Sequence, residues 1–399
     1  MSAPPEIDLT DPQFIIDPYP IYARLREQAP VGRVRAGFFG RAWLITRYDD
    51  VAAALRDERF TKDFRKVGRP EAQLLRMFGP LNRHMLNVDQ PDHTRLRALV
   101  QKAFTARFVE DLRPRIESLT EQFLDRLAGQ RDMDVVRDYA QPLPTTVIAE
   151  ILGVPVEDRE RFQRWSADLV DFSGPLSLLK AFPGAWALWR YIRGLVKLRR
   201  ERPEKDLMSA LVAAEEAGDR LNEDELLAMV GILLLAGFET TVNLIGNGTL
   251  ALLENPGEME RLRSQPALMP AAVEELLRYD SPIKLATPRW TLSEVTVAGV
   301  RIPKNAGLAV AIASANRDPQ QFEQPDALHL AREPNRHLSL GQGIHYCLGA
   351  PLARLEGQIA FTTLLRRFPR MRLTVPRNAL RWRNSMPLRG LESLPVSLG

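Results

Sequence analysis

Leu340-Gly341-Gln342-Gly343-Ile344-His345-Tyr346-Cys347-Leu348-Gly349 holds the only cysteine of a 399-residue chain, and a helix-like stretch begins directly after it, near Ala350. One sulfur can make neither an internal disulfide nor a multi-cysteine metal site. It can be a buried inert thiol, a nucleophile, or one axial ligand to a metal held mainly by something else. Glycines at 341, 343 and 349 let the backbone turn tightly around the sulfur. The following helix aims its N-terminal amides and positive dipole end at the same atom. That setting is expected to favour thiolate over thiol.

Length alone would suggest two or three domains. No Gly/Ser-rich linker, low-complexity segment or internal repeat divides the chain, and its 30 prolines are scattered at plausible helix ends and turns, so one large unit is expected. With 45% hydrophobic and 26% charged residues the composition is that of a globular protein. A net charge of +4 from 54 basic and 50 acidic residues is too balanced to argue for nucleic acid, though it allows local basic patches for an acidic protein partner. Met1 to Phe14 lacks the apolar core of a signal peptide, and the apolar run Leu226 to Phe238 is short for a bilayer and carries two glycines. No membrane span is expected, and a lone cysteine without a targeting signal makes the cytoplasm the expected compartment.

Helical periodicity dominates. A short helix is expected over Pro18 to Gln28, strands over Val31 to Thr46 around the Gly37/Gly40 turn, and helices over about 92–105, 110–128, 143–152, 157–171, 185–200, 223–254, 267–279 and 350–367. Strand-like segments fill 283–311, and a proline-rich irregular stretch, 318–336, leads into the cysteine loop. The helix at 223–254 is the most informative. Asn222 and Glu225 form a capping-box-like start and Asn255-Pro256-Gly257 stops it. At about 1.5 Å per residue it spans roughly 48 Å, and it is apolar nearly all round at its centre, so it should be buried.

Inside that helix lies Ala236-Gly237-Phe238-Glu239-Thr240-Thr241. Read by itself, it is a glycine in a packed helix followed by threonines bonding back to their own turn. A glutamate in an apolar helix is nevertheless costly unless it is paired or functional. Glu275 and Arg278, three apart, read by themselves as one more solvated ion pair. The segment 182–205 carries seven basic residues against two acidic ones, interleaved with Phe182, Trp186, Leu188, Trp189, Tyr191, Ile192 and Leu195. A basic amphipathic helix of this kind can lie on a membrane.

The run His337 to Gly349 resembles the haem-binding loop of the cytochrome P-450 superfamily, with Leu340 where that family usually has phenylalanine. The resemblance covers essentially the whole chain. It implies a mainly α fold with a minor β region, a single haem domain over residues 1–399, and haem b (iron protoporphyrin IX) with Cys347 as axial ligand of the iron. Thiolate ligation pushes electron density onto the metal and favours O–O cleavage. Ala236 to Thr241 looks like the family's acid–threonine pair. Gly237 would leave room for dioxygen at a widened turn, Thr240 would hydrogen-bond it, and Glu239 would relay protons, with Thr241 as the alternative hydroxyl. Glu275 and Arg278 match the E-x-x-R element, with Arg332 as third member of a buried charge network. Asp89 to Arg97 resembles the start of the proximal helix. The propionate contacts it implies are His93, Arg97, Arg289, His337 and His345; His84 and His329 are left without a role.

The implied activity is that of a haem-thiolate monooxygenase acting on a hydrophobic small molecule with dioxygen. No flavin or cluster motif is present, so electrons would come from a ferredoxin-type donor with its reductase, docking near Arg97 and Arg354. Segment 182–205 would be the substrate-access lid. Pocket residues would come from 63–90, 168–186, Leu285, Ala286 and the 232–240 helix face, Ile232, Leu235 and Ala236 among them. A peroxide-driven peroxygenase of the same fold, which lacks the acid–threonine pair, and a non-catalytic haem sensor are the alternatives.

Overall fold

Asn222 opens the longest helix. Its side chain accepts from the Glu225 amide at 2.9 Å while the Glu225 carboxylate accepts from the Asn222 amide at 3.2 Å, closing a capping box, and the helix runs over Glu223–Glu254. The computed structural model describes residues 7–37, 40–69, 83–158, 161, 175–216 and 221–399. Six helices frame the site: α1 (Asp92–Ala103), α2 (Pro142–Ile151), α3 (Pro175–Glu201), α4 (Glu223–Glu254), α5 (Met269–Tyr279) and α6 (Ala350–Arg367). Among the described residues α4 is the one helix long and apolar enough to cross a bilayer. It runs instead through the core, with Leu226 to Val230 and Val242 to Leu252 buried.

Two glycines let α4 and α6 cross closely. A Cβ on Gly248 would lie 2.5 Å from the Phe361 ring, and one on Gly357 would lie 3.2 Å from Leu244. Phe361 and Leu244 fill the gaps between α4, α5 and α6 with Val273, Leu276 and Leu365. Helices end where the chain supplies a reason. The expected 92–105 helix stops at Ala103, and the expected 110–128 helix becomes Ala106–Asp111 and Arg113–Asp125, because Thr105 caps the first piece and Pro114 opens the second. The expected 185–200 helix starts ten residues earlier, at Pro175, with Pro183 inside it. The expected 157–171 helix lies almost wholly outside the described residues; Val156–Asp158 before it is a 3₁₀ turn.

Among the described residues eleven short strands make the β minority. β1 (Ile7–Asp8), β2 (Val31–Arg35), β3 (Arg41–Ile45), β4 (Phe60–Thr61), β6 (Arg289–Thr291) and β9 (Gly307–Val310) form one sheet in the order β1-β2-β3-β9-β6-β4. β5 (Asp132–Asp134), β10 (Arg372–Leu373) and β11 (Pro395–Ser397) form a second, and β7 (Val295–Val297) pairs with β8 (Val300–Ile302). One register matters for the site. β4 and β6 are antiparallel with Thr61 opposite Trp290, so the next step sets Lys62 against Arg289.

α5 anchors the irregular stretch before the cysteine loop. Glu275 and Arg278 are fully buried and form a bidentate pair at 2.7 and 2.8 Å. Arg278 also donates to the carbonyls of Asn316, Pro325 and Ala327 at 2.7–3.0 Å. Glu275 accepts from Arg332 Nε at 3.0 Å, Asn335 Nδ2 at 3.1 Å and the His329 amide at 2.9 Å. Every donor of Arg278 is therefore matched, which is the condition under which a buried charge is tolerated. Glu275→Ala leaves that guanidinium buried and unpaired. It should lower unfolding free energy by about 3–5 kcal/mol in urea titration and sharply reduce recovered haem-loaded protein; a change within ~0.5 kcal/mol would show the pair to behave as a surface bridge.

Candidate functional site

The cysteine loop is set by two left-handed glycines, Gly341 at φ 72° and Gly343 at φ 71°, around a 3₁₀ turn over Gly343–His345. The Cys347 amide donates to the Leu340 carbonyl at 2.8 Å, closing the loop. Cys347 itself is half-buried at the start of α6. Burial pushes its thiol up, against the amides of Gly349 and Ala350 and the charges of Arg97 and Arg354, which pull it down. The expectation that the protein setting alone favours thiolate is thus corrected, because desolvation outweighs the helix end. A bound metal cation would reverse that balance by deprotonating the sulfur. No cluster of three or more His, Cys, Asp or Glu among the described residues could hold a metal by itself.

Beside this loop lies a buried cationic cluster. The rings of His93 and His345 meet edge-on at 4.5 Å, and Arg97 donates to the Ile344 carbonyl at 3.2 Å, so α1 lies against the loop. Arg289 is buried on β6 with Lys62 opposite it, and Lys62 is buried too. Burial and the neighbouring cations hold His93 down at about 4 and Lys62 and His345 far below their usual ranges, and burial alone brings Arg289 to about 10. The one carboxylate acting on the group is Asp89, which is already engaged by Thr61 Oγ1 at 2.5 Å, the Lys62 amide at 3.1 Å and Lys66 at 2.8 Å. Neither nitrogen of the buried His93 ring has a hydrogen-bond partner.

His337 does not join this cluster, which corrects its expected role. Its Nε2 lies 3.1 Å from Glu274 and its Nδ1 accepts from the Ser339 amide, so both ring nitrogens are used. Glu274 also takes Arg354 in a bidentate pair at 2.7 and 2.8 Å. Burial would push Glu274 up, but hydrogen bonds from Arg354 and His337 bring it to about 2. Two further titratable groups gave no sequence signal. Burial takes His84 down to about 3, helped by Lys62, and lifts Glu356, buried on α6 without a protein partner, to about 8.

On α4, Ala236 is exposed and Thr240 partly so, and the Thr240 hydroxyl donates weakly to the Ala236 carbonyl at 3.3 Å. Glu239 points elsewhere. It is buried and ion-paired with half-exposed Arg383 at 2.5 Å, a partner 144 residues away in sequence, and burial raises its carboxyl despite that charge. Gly237 is corrected: the helix is regular there, and a Cβ at 237 would lie 2.8 Å from Ile148 on α2, so the glycine serves helix packing. Leu285 is corrected as well. It is buried in the cluster of Leu9, Phe14 and Tyr22, whereas Ala286 packs partly exposed against Val31 and Ile45. Ile232 and Leu235 are partly buried along α4. Residues 70–82 and 168–174 of the expected pocket, Phe172 included, lie outside the described residues.

The cytochrome P450 family model matches residues 29–382, with the cysteine loop, the cationic cluster and the long helix all inside that span. The chain belongs to the cytochrome P450 family. It is 47% identical to the polyketide biosynthesis cytochrome P450 PksS of Bacillus subtilis (strain 168), covering 97% of each chain, and the solved PksS structure superposes with a TM-score of 0.92. A myxobacterial P450, CYP267B1, solved with myristic acid, is 43% identical with a TM-score of 0.92 and 98% of each chain covered. P450BioI, solved with a hexadec-9Z-enoic acid-ligated acyl carrier protein, is 38% identical with a TM-score of 0.88, covering 96% of this chain and 99% of that one. As a member of this family the protein is a haem monooxygenase that takes electrons from an external partner.

The residues fit haem b. Its two propionates are anions that buried Arg289 and Lys62, partly buried Arg97 and the ring N–H groups of His93 and His345 could hold, and the loop supplies one cysteine for the iron. Lys62→Met keeps the volume and removes one cation. At about 1.5–3 kcal/mol for a charge-assisted hydrogen bond, haem should transfer to apomyoglobin roughly 10- to 100-fold faster from the variant. An unchanged transfer rate would place Lys62 outside the haem contacts.

Proposed function

We propose that this P450 oxygenates a long, hydrophobic acyl or polyketide-type molecule, by hydroxylation or epoxidation, with electrons from a ferredoxin and its reductase. The reading takes residues 1–399 as one haem domain acting in the cytoplasm. Its substrate class rests on the relatives: one serves polyketide biosynthesis, one was solved with a fatty acid, and one with a carrier-linked fatty acyl chain. The observation that carries the chemistry is the acid–threonine pair on α4. A buried carboxyl tied to a half-exposed arginine stands one residue from a hydroxyl on the exposed edge of the same helix.

Haem, when bound, supplies the iron at which dioxygen is activated. Cys347 would hold that iron, with the Gly349 and Ala350 amides and the charges of Arg97 and Arg354 favouring its anionic form. His93, Arg97, Arg289, His345 and Lys62 would hold the haem through its carboxylates. The Thr240 hydroxyl gives up little when it turns from the Ala236 carbonyl, since a 3.3 Å bond is weak, and can donate into the pocket instead. Glu239, its carboxyl raised by burial, holds a proton more readily than an exposed glutamate and would exchange it with water beside part-exposed Arg383. Ile232, Leu235, Ala236 and Ala286 give an apolar wall suited to a hydrophobic substrate. A ferredoxin would meet Arg97 and the exposed Tyr346 near the cysteine loop; Arg354, neutralised by Glu274, adds less charge than the sequence suggests.

Two measurements test the reading. Reduced protein under carbon monoxide should show the strongly red-shifted Soret band of thiolate ligation, and Cys347→Ala should lose it; a histidine-type band in freshly purified wild type would remove Cys347 from the iron. With substrate and donor supplied, Thr240→Ala should consume reductant at near wild-type rate yet release more hydrogen peroxide and less product. Glu239→Gln should slow turnover by about 100-fold or more through impaired proton supply. Wild-type coupling in Thr240→Ala would move the hydroxyl's role to Thr241.

A further inference from the structure

Over residues 186–201 α3 shows solvent a stripe of side chains, Trp186, Arg190, Arg193 and Lys197, all exposed and spaced four, three and four residues apart. Its other face is fully used: Leu188, Ile192, Leu195 and Val196 are buried. Ile192 reaches within 3.7 Å of the Cβ position of Gly231 on α4. α3 thus lies on α4 about one and a half turns, or roughly 7.5 Å along the axis, before Ala236.

The stripe's cations differ from their neighbours. On the same helix Arg199 is held by Asp206 at 2.6 Å and Glu204 at 3.1 Å, and Arg200 by Glu215 at 2.9 Å. Arg190, Arg193 and Lys197 have no carboxylate partner among the described residues. Arg190 instead stands over the Trp186 ring at 5.5 Å and Arg193 over Trp189 at 5.8 Å, which holds the guanidinium groups in place without neutralising them. Trp186 remains 57% exposed, and one acid, Glu201, ends the stripe. Two fixed cations, a third on a flexible stem, and one large aromatic suit an acidic protein surface with a small apolar contact at its edge. An anionic membrane suits it less. Interfacial binding needs an apolar helix face, and over residues 186–201 Leu188, Ile192, Leu195 and Val196 are buried in the core, leaving Trp186 as the exposed large apolar side chain of that stretch.

We infer that this stripe docks the acidic face of an acyl carrier protein, which presents the substrate as a thioester-tethered chain to the pocket along α4. The inference rests on the acyl or polyketide substrate class proposed above and adds where its carrier binds. An electron donor has a different requirement, since it must approach the cysteine loop at the start of α6.

The test uses haem-loaded protein and three probes: acyl carrier protein charged with a hexadecanoyl chain, free hexadecanoic acid, and phosphatidylglycerol vesicles. Dissociation constants come from the substrate-induced spin-state shift for the first two and from co-sedimentation for the vesicles. Wild type should bind the charged carrier at least tenfold tighter than the free acid, and added salt should weaken the carrier complex. Arg190→Glu/Arg193→Glu/Lys197→Glu should lose that advantage by tenfold or more while its affinity for free acid stays within twofold, which also shows the variant to be folded. The milder Gln triple variant should fall between. A free-acid shift without any carrier advantage would overturn the docking surface and leave the acyl substrate standing. No shift with either chain would overturn both readings. Charge-sensitive binding to vesicles, with none to the carrier, would assign the stripe to a membrane instead.

Discussion

One buried carboxylate holds the proximal half of this molecule in shape. Glu275 is fully buried, yet it accepts hydrogen bonds from Arg278, Arg332, Asn335 and the His329 amide, so a helix and a loop-rich stretch nearly sixty residues downstream share one anion. Arg278 returns the tie through the carbonyls of Asn316, Pro325 and Ala327. The stapling continues toward the cysteine: Leu338 donates to Asn316 Oδ1 at 2.7 Å, Asn316 to Ser339 Oγ at 2.7 Å, and Ser339 Oγ to the Leu277 carbonyl at 2.6 Å. A chain segment with little regular structure is thereby fixed as firmly as a strand, up to the residue before Leu340. The loop that presents Cys347 inherits its position from α5.

The charge pattern around the site has two parts with opposite logic. The Glu275 network is self-satisfied, anion against matched donors, and asks for nothing further. The cluster of Lys62, His93, Arg97, Arg289 and His345 is not. Its members depress one another's protonation, and the single carboxylate among them is committed to the turn after β4. Buried like charges persist in a stable fold only where another anion completes them. Haem propionates would meet that need, and loading the cofactor would then also stabilise this corner of the fold.

Much of this was legible in the sequence wherever the determinants are local. α4 begins and ends where Asn222, Glu225 and the Asn255-Pro256 pair say, and α6 spans the expected 350–367, because capping chemistry acts within one turn. The turn at Gly37 and Gly40 joins β2 and β3 as expected. What escaped depends on partners far apart along the chain. Lys62 meets Arg289 only through the β4–β6 register, Arg383 reaches Glu239 from the C-terminal segment, and Glu274 captures His337 from α5. Leu285 and Ala286 differ by one position, yet they fall into different clusters, across a bend that no local pattern foretells. Gly237 was read for its smallness, and its smallness is used against Ile148 rather than toward the pocket.

Gly237 and Gly248 are eleven residues apart, about three helical turns, so they mark nearly the same azimuth on α4. Each admits a neighbouring side chain into a notch: Ile148 of α2 enters at the first and Phe361 of α6 at the second. A shaft keyed at two points cannot rotate. The angular position of Thr240 is therefore fixed by these two contacts along the shaft of the helix. If Ile232, Leu235 and Ala236 line the substrate space as proposed, substitutions there would reshape it while the hydroxyl stays in phase. Substrate choice and the orientation of the reacting edge are in this way free to diverge independently, which is the property a scaffold needs if many different molecules are to be oxidised by one arrangement of chemistry.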